Sequence, residues 1–210
     1  MQRTRVKFCG ITNAEDARHA AHLGADAIGL VFYPFAATTV DVATAADIVR
    51  TLPPFVTVVA LFVNAEPATV QAVVDNVRPS LLQFHGDENA DDCTVWEVPY
   101  IKACRVQNAA TIEETLCHHS QAQAILLDAA VHGQYGGSGT SFDWKFIPQK
   151  TAIPIIVAGG LSATNIGGLV RNHRPWAVDV SSGIAEDDNK RRKNWDKMRK
   201  FMKEITDADT

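Results

Sequence analysis

Long apolar runs, paired cysteine motifs and a large excess of either charge are all missing from this chain of 210 residues. No apolar segment approaches the roughly 18 residues that a membrane span needs, so a membrane-spanning protein is excluded. The formal net charge is −4, which argues against a nucleic-acid partner on electrostatic grounds. The four cysteines are Cys9, Cys93, Cys104 and Cys117. Because no two of them form a CxxC pair, they are predicted to be reduced thiols that form neither a metal site nor a disulfide framework.

Composition favours one well-cored domain over residues 1–210. With 46% apolar and 21% charged residues and no low-complexity tract, the chain is not expected to be disordered. The first residues are positively charged but lead into a polar turn, so they lack the apolar core of a signal peptide. A cytoplasmic location is therefore predicted.

Eight short runs rich in Val, Ile and Leu recur along the chain at regular spacing. Their near-continuous apolar character is typical of parallel strands that are covered on both faces. The predicted strands cover residues 6–9, 27–32, 56–62, 81–85, 100–106, 124–128, 155–158 and 177–181.

Helical segments separate these runs. A capping box at residues 12–15 predicts the first helix start, and Gly24 predicts its end. Residues 70–77 and 195–205 repeat apolar side chains at helical spacing, and weaker patterns cover 42–51, 91–97, 111–119 and 164–170. Residues 130–150 are predicted to form a Gly-rich loop with at most a short helix near 142–147.

Strands that alternate with helices predict a parallel sheet, and eight such units predict a closed (β/α)8 TIM barrel. A doubly wound open sheet is the alternative, but no GxGxxG follows the first strand. In the barrel, the active site lies at the carboxyl ends of the strands. Polar residues at those ends are Cys9, Asn64, Gln83, His85, Lys102, Arg105, Asp128, Asp179 and Ser181.

Small residues after the seventh and eighth strands predict a phosphate site. Such loops offer unhindered backbone N–H groups and hydroxyls at the position where barrels of this kind bind phosphate. The predicted phosphate-binding residues are Gly159, Gly160, Ser181, Ser182 and Gly183.

Cys9 and Asp128 are the candidate proton carriers, because they end strands 1 and 6 on opposite sides of the barrel mouth. For work near neutral pH, the barrel would have to lower the pKa of the thiol and raise that of the carboxyl group. A buried structural cysteine and a loop-capping aspartate are the alternative interpretation.

Three other sets of polar residues are candidates for structural or functional roles. Gln83 and His85 share a strand face, so both point into the mouth together, or His85 caps the next helix. Lys102 would be a structural charge balanced by acids if it points inward. The basic residues between 190 and 203 are predicted to be a solvated helix face rather than a nucleic-acid site.

The sequence resembles the phosphoribosylanthranilate isomerase family over essentially its whole length. The matching segments are KFCGIT (7–12), GADAIG (24–29), LQFHGDE (82–88), LLD (126–128), GGSG (136–139), FDW (142–144), AGGL (158–161) and DVSSG (179–183). This family carries out a cofactor-free Amadori rearrangement in tryptophan biosynthesis. The resemblance implies that Cys9 is the general base and Asp128 the general acid.

A small phosphorylated substrate and a monomer or weak homodimer are expected, with no nucleic-acid or membrane partner. The substrate-binding residues are expected to include Gln83, His85, Arg105 and Asp179.

Two departures from the family pattern stand out. Family members carry a Ser-Pro-Arg stretch after strand 2 whose arginine meets the anthranilate carboxylate, whereas Thr38 stands in the arginine's place. Arg105 is the candidate replacement. After strand 8, Ala185 precedes Glu186 where the family has the glutamate directly, which is expected to reshape the loop. The alternatives are a related barrel isomerase for another phosphoribosyl amine, and a non-catalytic phosphosugar-binding protein.

Overall fold

A computed structural model of the chain describes residues 3–129 and 141–210. Eight parallel strands close into one barrel, in which each strand pairs with the next and β8 pairs with β1. The strands are β1 Arg5–Cys9, β2 Ala27–Val31, β3 Thr57–Phe62, β4 Leu81–Phe84, β5 Tyr100–Val106, β6 Ala124–Ala129, β7 Ile155–Val157 and β8 Ala177–Val180. The predicted closed barrel is confirmed, and the open sheet is excluded.

Helices surround the barrel at the predicted places. They are α1 Ala14–His22, α2 Val42–Arg50, α3 Pro67–Val77, α4 Ala90–Thr94, α5 Ala109–His118, α6 Ile166–His173 and α7 Trp195–Asp209. Before β7 the described residues form a short 3-10 turn, Trp144–Phe146, which confirms the expected short helix. Residues 130–140 of the predicted Gly-rich loop, with the GGSG segment, lie outside the described residues.

None of the helices in the described ranges is both long enough and apolar enough to cross a membrane.

The start of α1 differs from the predicted capping box by one residue. Asn13, not Thr12, is the N-cap, and its side chain accepts a hydrogen bond from the backbone N–H of Asp16. The Thr12 hydroxyl instead donates to the backbone carbonyl of Arg191, far along the chain. The Thr12 side chain, which the local pattern predicts as the N-cap, therefore makes a tertiary hydrogen bond instead.

Side chains of the strands alternate between two cores. Those pointing outward pack beneath the helices, while those pointing inward fill the barrel. The inward apolar residues are Val59, Ile101, Ala103, Ala124, Leu126, Ile156, Ala158 and Ala177. Lys102 lies between two of them and so points outward, where its ammonium pairs with Glu88 at 3.2 Å. The interpretation of Lys102 as an inward charge is wrong, although acid does balance it.

Asp16 joins the first helix to the last part of the chain. It is fully buried, and its carboxylate accepts hydrogen bonds from the backbone N–H of Lys193 at 3.1 Å and from the Trp195 indole at 3.0 Å. Asn13 also donates to it at 2.6 Å. One carboxylate thus satisfies three donors, which come from the first and the last parts of the chain.

We expect Asp16→Ala to lower the free energy of unfolding by about 2 to 4 kcal/mol, because buried donors lose their acceptor. Asp47→Ala is the matched control, since Asp47 pairs with Arg50 on the surface and should contribute no more than about 0.5 kcal/mol. Urea unfolding of the two variants measures the difference. Equal effects would mean that Asp16 does not hold the two ends together.

Candidate active site

Strand alternation brings most of the predicted site residues into one mouth. Cys9 ends β1, Asp128 lies near the end of β6, and both are buried inside the barrel, 5% and 6% exposed. Between β6 and β1 around the barrel stand only β7 and β8, so these two side chains approach the mouth from different sides. The other predicted site residues that point inward are Gln83, His85, Arg105, Asp179 and Ser181.

Asp128 ends a row of three buried polar side chains. Its Oδ2 lies 3.2 Å from Nε2 of His85, and Nδ1 of His85 lies 3.0 Å from Nε2 of Gln83. Its Oδ1 accepts from the backbone N–H of Ala129 at 2.8 Å. Two polar hydrogens can therefore face the Asp128 carboxylate, one on each oxygen, and they fix its orientation.

The helix-capping alternative for His85 is excluded, because Asn89 caps α4 with its own side chain. His85 instead lies within hydrogen-bond distance of Asp128. Its assignment, with Gln83, to substrate binding stays a prediction.

Cys9 lies in a charged part of the barrel interior. Lys7 shares its face of β1, and the Lys7 ammonium bonds to Asp179 on β8 at 2.9 Å. Burial raises the pKa of the Cys9 thiol; the Lys7 and Lys193 ammoniums oppose this shift, and the Asp179 carboxylate adds to it. The lowered thiol pKa that work near neutral pH would require is therefore not found in the barrel, because desolvation outweighs the two cations.

Lys7 and Lys193 are site residues that the sequence reasoning missed. The period of two from Cys9 was a sufficient signal for Lys7. Lys193 was grouped with the solvated basic face, but it is buried because a short antiparallel bridge to Ala185 folds the loop inward. Its ammonium donates to the Ser181 carbonyl at 3.3 Å, and burial lowers its pKa to about 8.

The same bridge contains Ala185. Ala185 is buried in it, while Glu186 accepts a hydrogen bond from Asn194 at 2.9 Å. The loop after β8 is thus closed on itself, and the expected reshaping of this loop relative to the family stays a prediction.

Glycines bring the loops after β7 and β8 together. A Cβ on Gly183 would lie 2.0 Å from the carbonyl oxygen of Leu161, so these loops touch where only a glycine fits. Gly159 has φ +79°, and a Cβ there would lie 2.8 Å from Oδ1 of Asp128. The predicted phosphate loops therefore form one surface beside the candidate acid, as a cradle for an anion would require.

The loop after β2 is held by a residue from the far end of the chain. Arg191 donates through Nη1 to the carbonyls of Ala37 at 3.2 Å and Thr39 at 2.9 Å, on either side of Thr38. The Thr38 hydroxyl lies against Gly10, directly after Cys9. Across the mouth, Arg105 forms an ion pair with Asp87.

Within residues 3–129 and 141–210, no group of three or more His, Cys, Asp and Glu side chains could hold a metal ion.

Residues 6–204 match the family model for N-(5'-phosphoribosyl)anthranilate (PRA) isomerase. The chain belongs to this family. It is 46% identical to the N-(5'-phosphoribosyl)anthranilate isomerase of Pseudomonas fluorescens (strain SBW25) over 208 residues, 99% of this chain and 98% of that protein. The resemblance drawn from the sequence motifs is confirmed.

Solved structures of PRA isomerases share the fold closely. The enzyme of Thermotoga maritima superposes with a TM-score of 0.87 at 36% identity, covering 97% of this chain and 99% of that one. A second PRA isomerase structure, at 35% identity and a TM-score of 0.84 over 97% and 99% of the two chains, holds reduced 1-(o-carboxyphenylamino)-1-deoxyribulose 5-phosphate. A third, at 32% identity, concerns monomers generated from the dimeric Thermotoga maritima enzyme.

We expect alkylation of Cys9 by iodoacetamide to have its midpoint above pH 8.5, the ordinary range of a thiol, because the raised pKa keeps the reactive thiolate scarce at neutral pH. Mass spectrometry of the Cys9 peptide over a pH series measures it, with N-acetylcysteine as the reference thiol. A midpoint below that of the reference would contradict the burial effect.

Proposed function

We propose that this protein catalyses the Amadori rearrangement of N-(5'-phosphoribosyl)anthranilate to 1-(2-carboxyphenylamino)-1-deoxyribulose 5-phosphate, a step of tryptophan biosynthesis. The observation that carries the proposal is the placement of Cys9 and Asp128 in one buried mouth, beside touching glycine loops, in a member of the PRA isomerase family. The reaction moves two protons and needs an anchor for the phosphate, and this mouth has a group for each task.

Asp128 is the general acid in this scheme. It gives its proton to the ring oxygen of the ribose as the C1'–O bond breaks and the nitrogen lone pair forms the Schiff base. The carboxylate that remains would accept hydrogen bonds from Ala129 and from the Nε2–H tautomer of His85. These donors support the proposal because they stabilise the charge that the acid acquires when it has delivered its proton.

Cys9 is the general base. Its thiolate takes the proton from C2', and the electron pair of the broken C–H bond passes into the Schiff base to give the enolamine. Tautomerisation of the enolamine at C2' then gives the ketone. The thiolate needs a positive environment in a buried site, and the two lysines near Cys9 provide it.

The glycine loops after β7 and β8 are the proposed phosphate anchor. Gly159 and Gly160 take positive φ values of 79° and 60°, which turn the backbone sharply at the end of β7. With Ser181, Ser182 and Gly183 they offer hydroxyls and backbone amides at the edge of the mouth. An anchored phosphate would hold the ribose between the acid and the base.

Threonine in place of the expected arginine at position 38 favours one alternative substrate. A carboxylate that loses a charge-assisted hydrogen bond binds more weakly by about 1.5 to 3 kcal/mol, so an aglycone without the carboxylate would suffer less. A related phosphoribosyl amine is therefore the second candidate substrate. A non-catalytic phosphosugar-binding protein is disfavoured, because binding alone would not need the Cys9 and Asp128 pair.

We expect Cys9→Ala and Asp128→Asn each to lower turnover of N-(5'-phosphoribosyl)anthranilate by about two to four orders of magnitude, the usual effect of removing a general base or acid. Loss of substrate fluorescence measures turnover. Cys117→Ala is the matched control, because Cys117 is exposed and distant from the mouth, and it should retain wild-type activity. Near wild-type turnover in Cys9→Ala would require another base, and failure of Asp128→Asn to bind the reduced product analogue would make Asp128 a binding residue.

We expect Arg105→Ala to lower kcat/KM by about one to two decades for the carboxylated substrate and much less for the descarboxy analogue, if Arg105 meets the carboxylate. Arg191→Ala is the comparison variant, because Arg191 is the cation held next to Thr38. An equal effect of Arg105→Ala on both substrates would remove its assignment. In the reciprocal variant Thr38→Arg, a gain in kcat/KM would show that the loop lacks a useful contact.

A further inference from the structure

A thiol that acts as a base inside a barrel needs a nearby positive charge, and the structure places one beside it. A Cβ built on Gly29 would lie 2.7 Å from Sγ of Cys9 and 3.1 Å from Nζ of Lys7. Both atoms approach the same point on β2, so the thiol and the ammonium lie within about 6 Å of each other. Gly29 leaves open the space in which the two side chains meet.

Asp179 keeps the Lys7 side chain charged and in place. Lys7 and Asp179 are register partners on β1 and β8, and their side chains are 4% and 9% exposed. Burial alone would lower the pKa of Lys7, but the Asp179 carboxylate and the Cys9 thiol more than offset it, so the pKa is raised. Lys7 is therefore a fixed cation at neutral pH.

We propose that Lys7 is the positioning residue that allows Cys9 to act as a base, because its ammonium stabilises the thiolate of Cys9. Asp179 holds this ammonium in place, and Gly29 leaves the space that it occupies. This inference rests on the proposed function for the role of Cys9. Lys7 donates no proton to the substrate and stays charged throughout. Its contribution is the field that it exerts on Sγ in a site where water does not screen it.

The other charged groups that face this thiol come from two elements. Asp179 on β8 opposes Lys7, and Lys193 in the loop before α7 supports it. Asp16 on α1 acts on Lys193 rather than on the thiol. On β2 the facing residue is Gly29, which carries no charge. The pH dependence of Cys9 is therefore the outcome of two cations set against one carboxylate and against burial.

A purely structural ion pair is the competing explanation, since Lys7 and Asp179 also fill the barrel interior. Lys102 and Glu88 form a matched pair on the outer face of the barrel, with side chains 6% and 8% exposed. Loss of either pair should affect stability. Only loss of the inner pair should change the titration of Cys9.

The experiment measures the pH profile of iodoacetamide alkylation at Cys9, read by mass spectrometry of its peptide, in the full-length chain without substrate. The variants are Lys7→Met, Lys7→Met/Asp179→Asn and, as control, Lys102→Met/Glu88→Gln. At pH 7.5 we expect the alkylation rate to fall about ten-fold or more in Lys7→Met, and by a smaller factor in the double variant, because Asp179 no longer opposes the thiolate. The control should keep the wild-type profile.

Circular dichroism shows which variants fold. If Lys7→Met does not fold, Lys7→Met/Asp179→Asn provides the test, because the double variant leaves no unpaired buried charge. Gly29→Ala is an independent variant that keeps every charge. Its methyl group must displace Cys9 or Lys7, and it should slow alkylation in the same direction. An unchanged Cys9 profile in the folded inner-pair variants would overturn the proposal.

Kinetics then separate this inference from the proposed function. With N-(5'-phosphoribosyl)anthranilate, Lys7→Met should lower kcat with little change in KM, and part of the lost rate should return at higher pH as the thiolate forms. If Cys9→Ala retains activity, the proposed function fails regardless of Lys7. If Cys9→Ala is inactive but the Cys9 thiol titrates identically in the wild type and in Lys7→Met, the inference alone fails.

Discussion

In a closed parallel barrel, every second side chain of each strand must point into a narrow interior that water does not fill. Polar groups that enter this space have to find partners across strands, because none is available from solvent. Lys7 and Asp179 meet this requirement as neighbours in register on β1 and β8. Because Asp179 pairs with it, the Lys7 ammonium can be buried in the interior, two residues before Cys9 on β1. This ion pair determines the electrostatic environment of the mouth.

The two proposed proton carriers have different surroundings. Asp128 faces one backbone donor and one histidine ring, so its carboxylate is held by hydrogen bonds. Cys9 has weak hydrogen-bonding capacity and depends on charges at a short distance. A thiol and a carboxyl group in one mouth thus respond to separate features of the barrel, and substitutions near one need not disturb the other.

Space at the mouth is made by glycines rather than by loop length. Gly29 stands opposite Cys9, Gly159 stands against Asp128, and Gly183 lets the last two loops touch. At each of these positions a methyl group would enter the van der Waals radius of a neighbouring atom. The glycines of the sequence motifs are therefore contact residues of the site, in addition to being turn residues.

The loop after β2 is held by a segment from far along the chain. Arg191, which precedes α7, donates to the backbone carbonyls on either side of Thr38, the position at which the family resemblance predicts an arginine. Beneath this loop, β2 and β3 pair in parallel register. The loop after β2 is thus a separate element from the strands that carry Cys9 and Asp128.

The sequence by itself determined the closed barrel, the eight strands and the positions of Cys9, Asp128 and the glycine loops, because strand periodicity and strand-end chemistry are local properties. It also implied that Gln83 and His85 point together. Only the tertiary structure decided that His85 contacts Asp128, that Lys102 points outward and that Lys193 is buried beside Cys9. These three depend on which strands and loops meet across the barrel, and burial raises the pKa of Cys9 for the same reason: desolvation is a property of the closed interior, which no segment of the chain has alone.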